Sequence, residues 1–88
     1  MSIYDSAYRK FLNELRNARL AAGMSQEELA DRLDKHQTFV SKVEKGQRYL
    51  DVLEFVRWAK AIEVDPAKLV SGLRDDVLAR GARRRASD

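Results

Sequence analysis

The chain has 88 residues, 35% of them charged and 44% apolar, with a net charge of +3. That length supports one small domain with a single core, and that balance argues against both a disordered chain and a membrane protein. The absence of cysteine and the single histidine, His36, exclude disulfide staples and the usual Cys/His zinc site.

No apolar run approaches the roughly 18 residues that cross a bilayer, and the N-terminal MSIYDSAYRK lacks the apolar centre of a signal peptide. The expectation is a cytoplasmic protein with no membrane contact. Positive charge is unevenly placed: residues 35–48 carry four basic side chains and one acidic, as do residues 80–88, whereas 1–34 and 49–79 are both net negative. Such local concentration is the electrostatic footprint of a polyanion-binding surface.

Tyr4, Tyr8, Phe11, Leu15, Ala18 and Ala22 recur at alternating spacings of four and three, which predicts a long first helix with one apolar stripe, widened by Leu12 and Leu20. Either Ser2 or Asp5 caps its start, and Gly23 closes its end. Ser25 opens a second helix, with Glu28 three residues on to complete a capping box and Met24 placed to staple against Leu29. Leu29, Ala30 and Leu33 face inward, leaving Asp34, Lys35 and His36 for a turn.

A third helix is predicted from about Gln37 to Lys45, stopping at Gly46. At 100° per residue Val40, Val43 and Glu44 share its inner side, while Thr38, Ser41, Lys42 and Lys45 cluster roughly opposite. Asp51 and Glu54 begin a fourth helix, with Leu50 stapling against Phe55. Its inward stripe is Val52, Phe55, Ala59 and Ile62, with Trp58 at the border. Asp65 caps a fifth helix with Pro66 at the first helical position and Val64 stapling against Leu69. From Arg74 the pattern fades. The division expected is a domain over 1–73 and a C-terminal extension over 74–88, part of it a flexible basic tail that either solubilises or grips phosphate, with room for a short extra helix over 75–82.

The combination SQEELA, a leucine four after Leu29, VSKVEKG, then Ala59, Ala61, Ile62 and Val64, resembles the phage-repressor and Cro-like helix-turn-helix proteins of the xenobiotic-response-element family over about Arg16 to Leu73. The resemblance implies an all-α, compact five-helix bundle that binds double-stranded DNA through its third helix. Carried onto this chain, Gln37, Thr38, Ser41 and Lys42 would read base edges. Ser25, Gln26, Lys35, His36, Lys45 and Arg48 would hold phosphates. Arg19 and Glu44 would form an ion pair that ties the first helix to the third and aims the reader. Phe39 either touches a thymine methyl or simply packs.

Three positions depart from the family pattern: Asp34 and Glu63 stand where it usually has glycine, and His36 stands where it has a small N-cap. The function implied is a sequence-specific transcriptional regulator, a repressor acting as a homodimer, because one recognition helix covers few base pairs and paired half-sites supply specificity. Leu53, Val56, Val70 and Leu73 are the candidates for the dimer surface. Alternatives are a DNA-binding antitoxin with a toxin partner, a restriction-modification controller, and an adaptor that binds protein rather than DNA. The adaptor would have lost the basic outward face that this chain keeps. No catalytic constellation and no cofactor site is expected, since His36 has no second histidine, cysteine or organised carboxylate pair beside it in sequence.

Overall fold

In the computed structural model, which describes the backbone of residues 5–87 and the side chains of 5–75 and of Val77, five helices and no strands are present among the described residues. They are α1 (Ser6–Ala21), α2 (Gln26–Arg32), α3 (Gln37–Glu44), α4 (Val52–Ala61) and α5 (Pro66–Ser87). Tyr4 and Ser2 lie outside the described residues. The choice of first cap falls to Asp5, whose carboxylate accepts from the amides of Ala7 at 2.8 Å and Tyr8 at 3.4 Å.

The other starts follow from the same chemistry. Ser25 Oγ accepts from Glu28 N at 3.0 Å. The fully reciprocal box is at α4, where Asp51 accepts from Glu54 N at 2.7 Å and Glu54 accepts from Asp51 N at 3.0 Å. Asp65 accepts from Ala67 N at 3.0 Å ahead of α5. His36 occupies the N-cap of α3 but makes no side-chain capping bond.

Leu15, Leu29, Val40, Val43, Trp58 and Ile62 are the largest fully buried side chains, so every one of the first four helices and the turn after α4 contributes to one core. Trp58 therefore lies at the centre of that core rather than at its border. Leu20 and Val52 are corrections to the predicted stripes, since both are exposed, Val52 at 81%. Leu20 follows the buried Arg19 on the last turn of α1 and is rotated about 100° from it, off the inward face. Val52 is the first residue of α4, ahead of the turn that meets the core. Ala22 is exposed as the C-cap of α1.

The fifth helix does not end near Arg74. It continues to Ser87, so the C-terminal extension prolongs α5 instead of forming a separate element. Alanine, arginine and leucine propensities over this stretch outweigh the single Gly81, which costs about 1 kcal/mol.

Gly23 (φ 72°) and Gly46 (φ 76°) take the left-handed conformation expected at the ends of α1 and α3. Asp34 (φ 55°) and Glu63 (φ 59°) take it too, although neither is glycine. A side chain there costs roughly 1–2 kcal/mol, less for aspartate, which tolerates the region better. Replacing Glu63 with glycine is expected to raise stability by about 0.5–1 kcal/mol, the strain relieved less the extra entropy of an unfolded glycine. Thermal unfolding checks this, and a lower Tm for the variant would contradict the strain.

Candidate nucleic-acid interface

The site is built around one buried ion pair. Arg19, on the last turn of α1, donates from Nε to Glu44 Oε2 at 2.7 Å and from Nη2 to Oε1 at 3.0 Å. Its Nη1 donates to the Met24 carbonyl at 2.8 Å. The two side chains are 6% and 4% exposed. Bidentate geometry with a third bond to a backbone oxygen meets the condition under which burying two charges is tolerated. Arg19 thus holds the end of α1, the start of the next loop and the last residue of α3 in one fixed relation.

From Glu44 the bonding continues outward. Gln26 Nε2 donates to Glu44 Oε1 at 3.0 Å, and Gln37 Nε2 donates to Gln26 Oε1 at 2.8 Å. A chain of four side chains, Arg19–Glu44–Gln26–Gln37, therefore leads from a buried guanidinium to the exposed first residue of α3. In this arrangement one amide proton of Gln37 is spoken for, leaving its carbonyl oxygen and second N–H to meet a partner. Thr38, Lys42 and Lys45 are exposed and Ser41 is half-buried, so the outward face of α3 is short, polar and basic. Ser25, Lys35 and His36 lie exposed at the flanks of that face.

Two expected phosphate contacts are engaged within the chain. One N–H of the Gln26 amide goes to Glu44 and its oxygen accepts from Gln37, which leaves its second N–H. Arg48 donates to both oxygens of Glu54, each at 2.9 Å, and to the Tyr49 carbonyl at 3.0 Å. Its guanidinium also lies 4.6 Å from the ring centroid of Phe39, with Lys35 Nζ at 5.4 Å. Phe39 in turn packs toward Trp58, centroids 6.1 Å apart. Phe39 thus packs within the chain and forms with Arg48 and Glu54 the joint between α3 and the start of α4. Sequence reasoning missed Glu54 in this role because a pair six residues apart across a loop carries no helical-spacing signal.

The Arg48 hydrogen bonds hold the Glu54 carboxyl below its ordinary value, and Glu54 correspondingly raises Arg48. A depressed carboxyl pKa in the folded state contributes stability that is complete above the ordinary value of 4.5 and is lost as pH falls through the lowered one. Glu54→Gln is expected to flatten the decline in stability below about pH 4.5. Denaturation measured from neutral pH down to about 3 checks it, and an unchanged acid slope would exclude the pair as a contributor.

Of the four apolar candidates for a dimer surface, Leu53, Val56 and Val70 are 57%, 44% and 42% exposed. Leu73 is different: it is partly buried and packs against the core, because α5 turns it inward. No group of three or more metal-ligating side chains occurs among the described residues, and no helix of the described residues is long and apolar enough to cross a membrane.

A helix-turn-helix family model matches residues 15–69. The chain is 36% identical over 61 residues to the control protein C.BamHI of Bacillus amyloliquefaciens, covering 68% of this chain and 75% of that protein. Among solved structures it is similar to an XRE-family-like protein from Pseudomonas syringae pv. tomato str. DC3000, with 45% identity, a TM-score of 0.77, and coverage of 83% and 89% of the two chains. It is also similar to the restriction-modification controller protein C.AhdI from Aeromonas hydrophila, with 37% identity, a TM-score of 0.64, and coverage of 68% and 91%. The match spans α2, α3 and the helices that seat them, and the chain belongs to the XRE, Cro/C1-type helix-turn-helix family.

Proposed function

We propose that this protein is a double-stranded-DNA-binding transcriptional regulator that acts as a homodimer on a two-fold symmetric site, repressing by occupying a promoter. The observation that carries this reading is the Arg19–Glu44–Gln26–Gln37 chain, which fixes a base-reading amide at the exposed start of α3. In the assignment that follows, Gln37, Thr38, Ser41 and Lys42 read bases, and Ser25, Lys35, His36 and Lys45 hold the backbone. A glutamine amide bonds adenine bidentately, and a lysine ammonium reaches guanine. A dimer on two-fold symmetric DNA presents its two α3 helices to successive major grooves about 34 Å apart, and the exposed apolar Leu53, Val56 and Val70 are the side chains proposed to pair it.

Similarity to C.BamHI and C.AhdI favours a particular job, the control of a restriction-modification operon. Selection of bound duplexes from a random pool tests the reading. A palindromic consensus with half-sites about 10 base pairs apart is the expected result. A non-palindromic consensus would remove the symmetric dimer, and recovery of no consensus would remove sequence-specific binding.

A further inference from the structure

We propose that Arg9, Asn13 and Arg16 of α1, together with Lys45 at the end of α3, form a second clamp for backbone phosphate, extending the DNA footprint beyond the helix-turn-helix. The proposal rests on the DNA-binding reading above and adds to it the α1 side of a surface of which the family resemblance had singled out only Lys45.

These four side chains, with Leu12 and Glu44, line a cleft of about 300 Å³ between α1 and α3. Arg9, Asn13 and Arg16 stand at i, i+4 and i+7, which puts them on one face of α1 with the arginines two turns, about 10 Å, apart. Leu12 is buried in the core and fixes which way that face points. Lys45, exposed at the end of the recognition helix, closes the cleft from the other side. A strand whose bases are read by α3 would therefore pass the mouth of the same cleft.

Among the described residues, the cations there enter no ion pair. Arg19, Arg48 and Arg74 each spend a guanidinium on a carboxylate, whereas Arg9, Arg16 and Lys45 take part in none of these ion pairs. Glu44, the one carboxylate in the lining, is already held by both Arg19 and Gln26. Glu14, the one acid within α1, has its carboxylate beside Gly72 of α5, away from the cleft. A solvated helix face ordinarily interleaves acids with its bases; here three cations and an amide donor line the cleft with Glu44 as its one acid. Guanidinium groups bind a phosphodiester through paired N–H donors, and an asparagine amide supplies a further donor of the kind that fixes register without reading sequence.

The test is the salt dependence of binding, measured by anisotropy on a selected duplex and on a scrambled one, for wild type and for the double variant Arg9→Ala/Arg16→Ala. Each phosphate that is no longer neutralised takes about 0.9 from the slope of log affinity against log salt, so the double variant should show a slope shallower by nearly two. It should weaken both duplexes by the same factor and keep the wild-type preference between them. Arg9→Lys/Arg16→Lys should retain most of the slope, and the variants should melt like wild type. A wild-type slope in the alanine double variant, with wild type binding DNA and Gln37→Ala losing selectivity, would overturn the clamp and leave the DNA-binding reading intact. Binding of inorganic phosphate at Arg9 and Arg16, seen by NMR, with no change of slope would also overturn it, as a small-anion site only. No duplex binding by wild type at any salt concentration would remove both readings.

Discussion

Replacing Glu44 with alanine is expected to lower the unfolding free energy by about 3–5 kcal/mol, because it leaves the Arg19 guanidinium buried opposite an empty site. A domain of this size has roughly 5–15 kcal/mol to lose, so the variant should unfold within reach of physiological temperature. The cost arises from what remains. Nη1 of Arg19 keeps its bond to the Met24 carbonyl, but Nε and Nη2 lose both acceptors at once, and Gln26 loses the oxygen that orients it. Removing both charges avoids the stranded cation, so Arg19→Met/Glu44→Leu should recover much of the stability. It should not recover DNA binding, since Gln26 Nε2 would still lack the Glu44 oxygen that orients it and would keep only its bond from Gln37. Urea denaturation followed by circular dichroism measures the first effect and duplex binding the second. A single variant within about 1 kcal/mol of wild type, or a double variant worse than the single, would show that the pair is not the constraint described.

The second large effect is on selectivity. Gln37→Ala should weaken binding to the selected duplex by about 5- to 150-fold, corresponding to the 1–3 kcal/mol of a bidentate base contact, and should leave a scrambled duplex nearly unaffected. Gln26→Ala should reach the same property by a different route. Gln26 accepts from Gln37 at 2.8 Å, so without it the Gln37 amide must be ordered at the moment of binding. The two losses should then be non-additive by about 0.5 kcal/mol or more in a double-mutant cycle. Additive losses would mean that the two amides act separately, and an equal loss on both duplexes would remove Gln37 from base reading.

The helix starts were legible because the chemistry is local. Ser25, Asp51 and Asp65 each accept from an amide two or three residues ahead, and Gly23 and Gly46 mark the left-handed exits of α1 and α3. The Arg19–Glu44 contact was expected from the family resemblance and from the inward position of Glu44. What remained hidden depends on how helices meet. Gln26 and Gln37 are eleven residues apart, on opposite sides of a turn whose shape no spacing rule supplies. Arg48 looked like a free cation until α4 brought Glu54 to it. Arg9 and Arg16 share a helical face in any reading of the sequence, but only the packing of α1 on α3 sets Lys45 opposite them. Val52 and Leu20 show the reverse error: apolar character in the first or last turn of a helix does not bury a residue that lies ahead of the core or off the inward face.

Trp58 is the sole tryptophan of the chain. It is fully buried, its indole N–H has no hydrogen-bond partner among the described residues, and it lies near Phe39 on the flank of α3. Its intrinsic emission is therefore an unmodified optical probe, blue-shifted while the indole stays dry and aimed at the seat of the recognition helix. A wavelength shift on binding DNA would report that α3 has moved against its support, whereas a constant wavelength would report a reader carried into the groove as a rigid body.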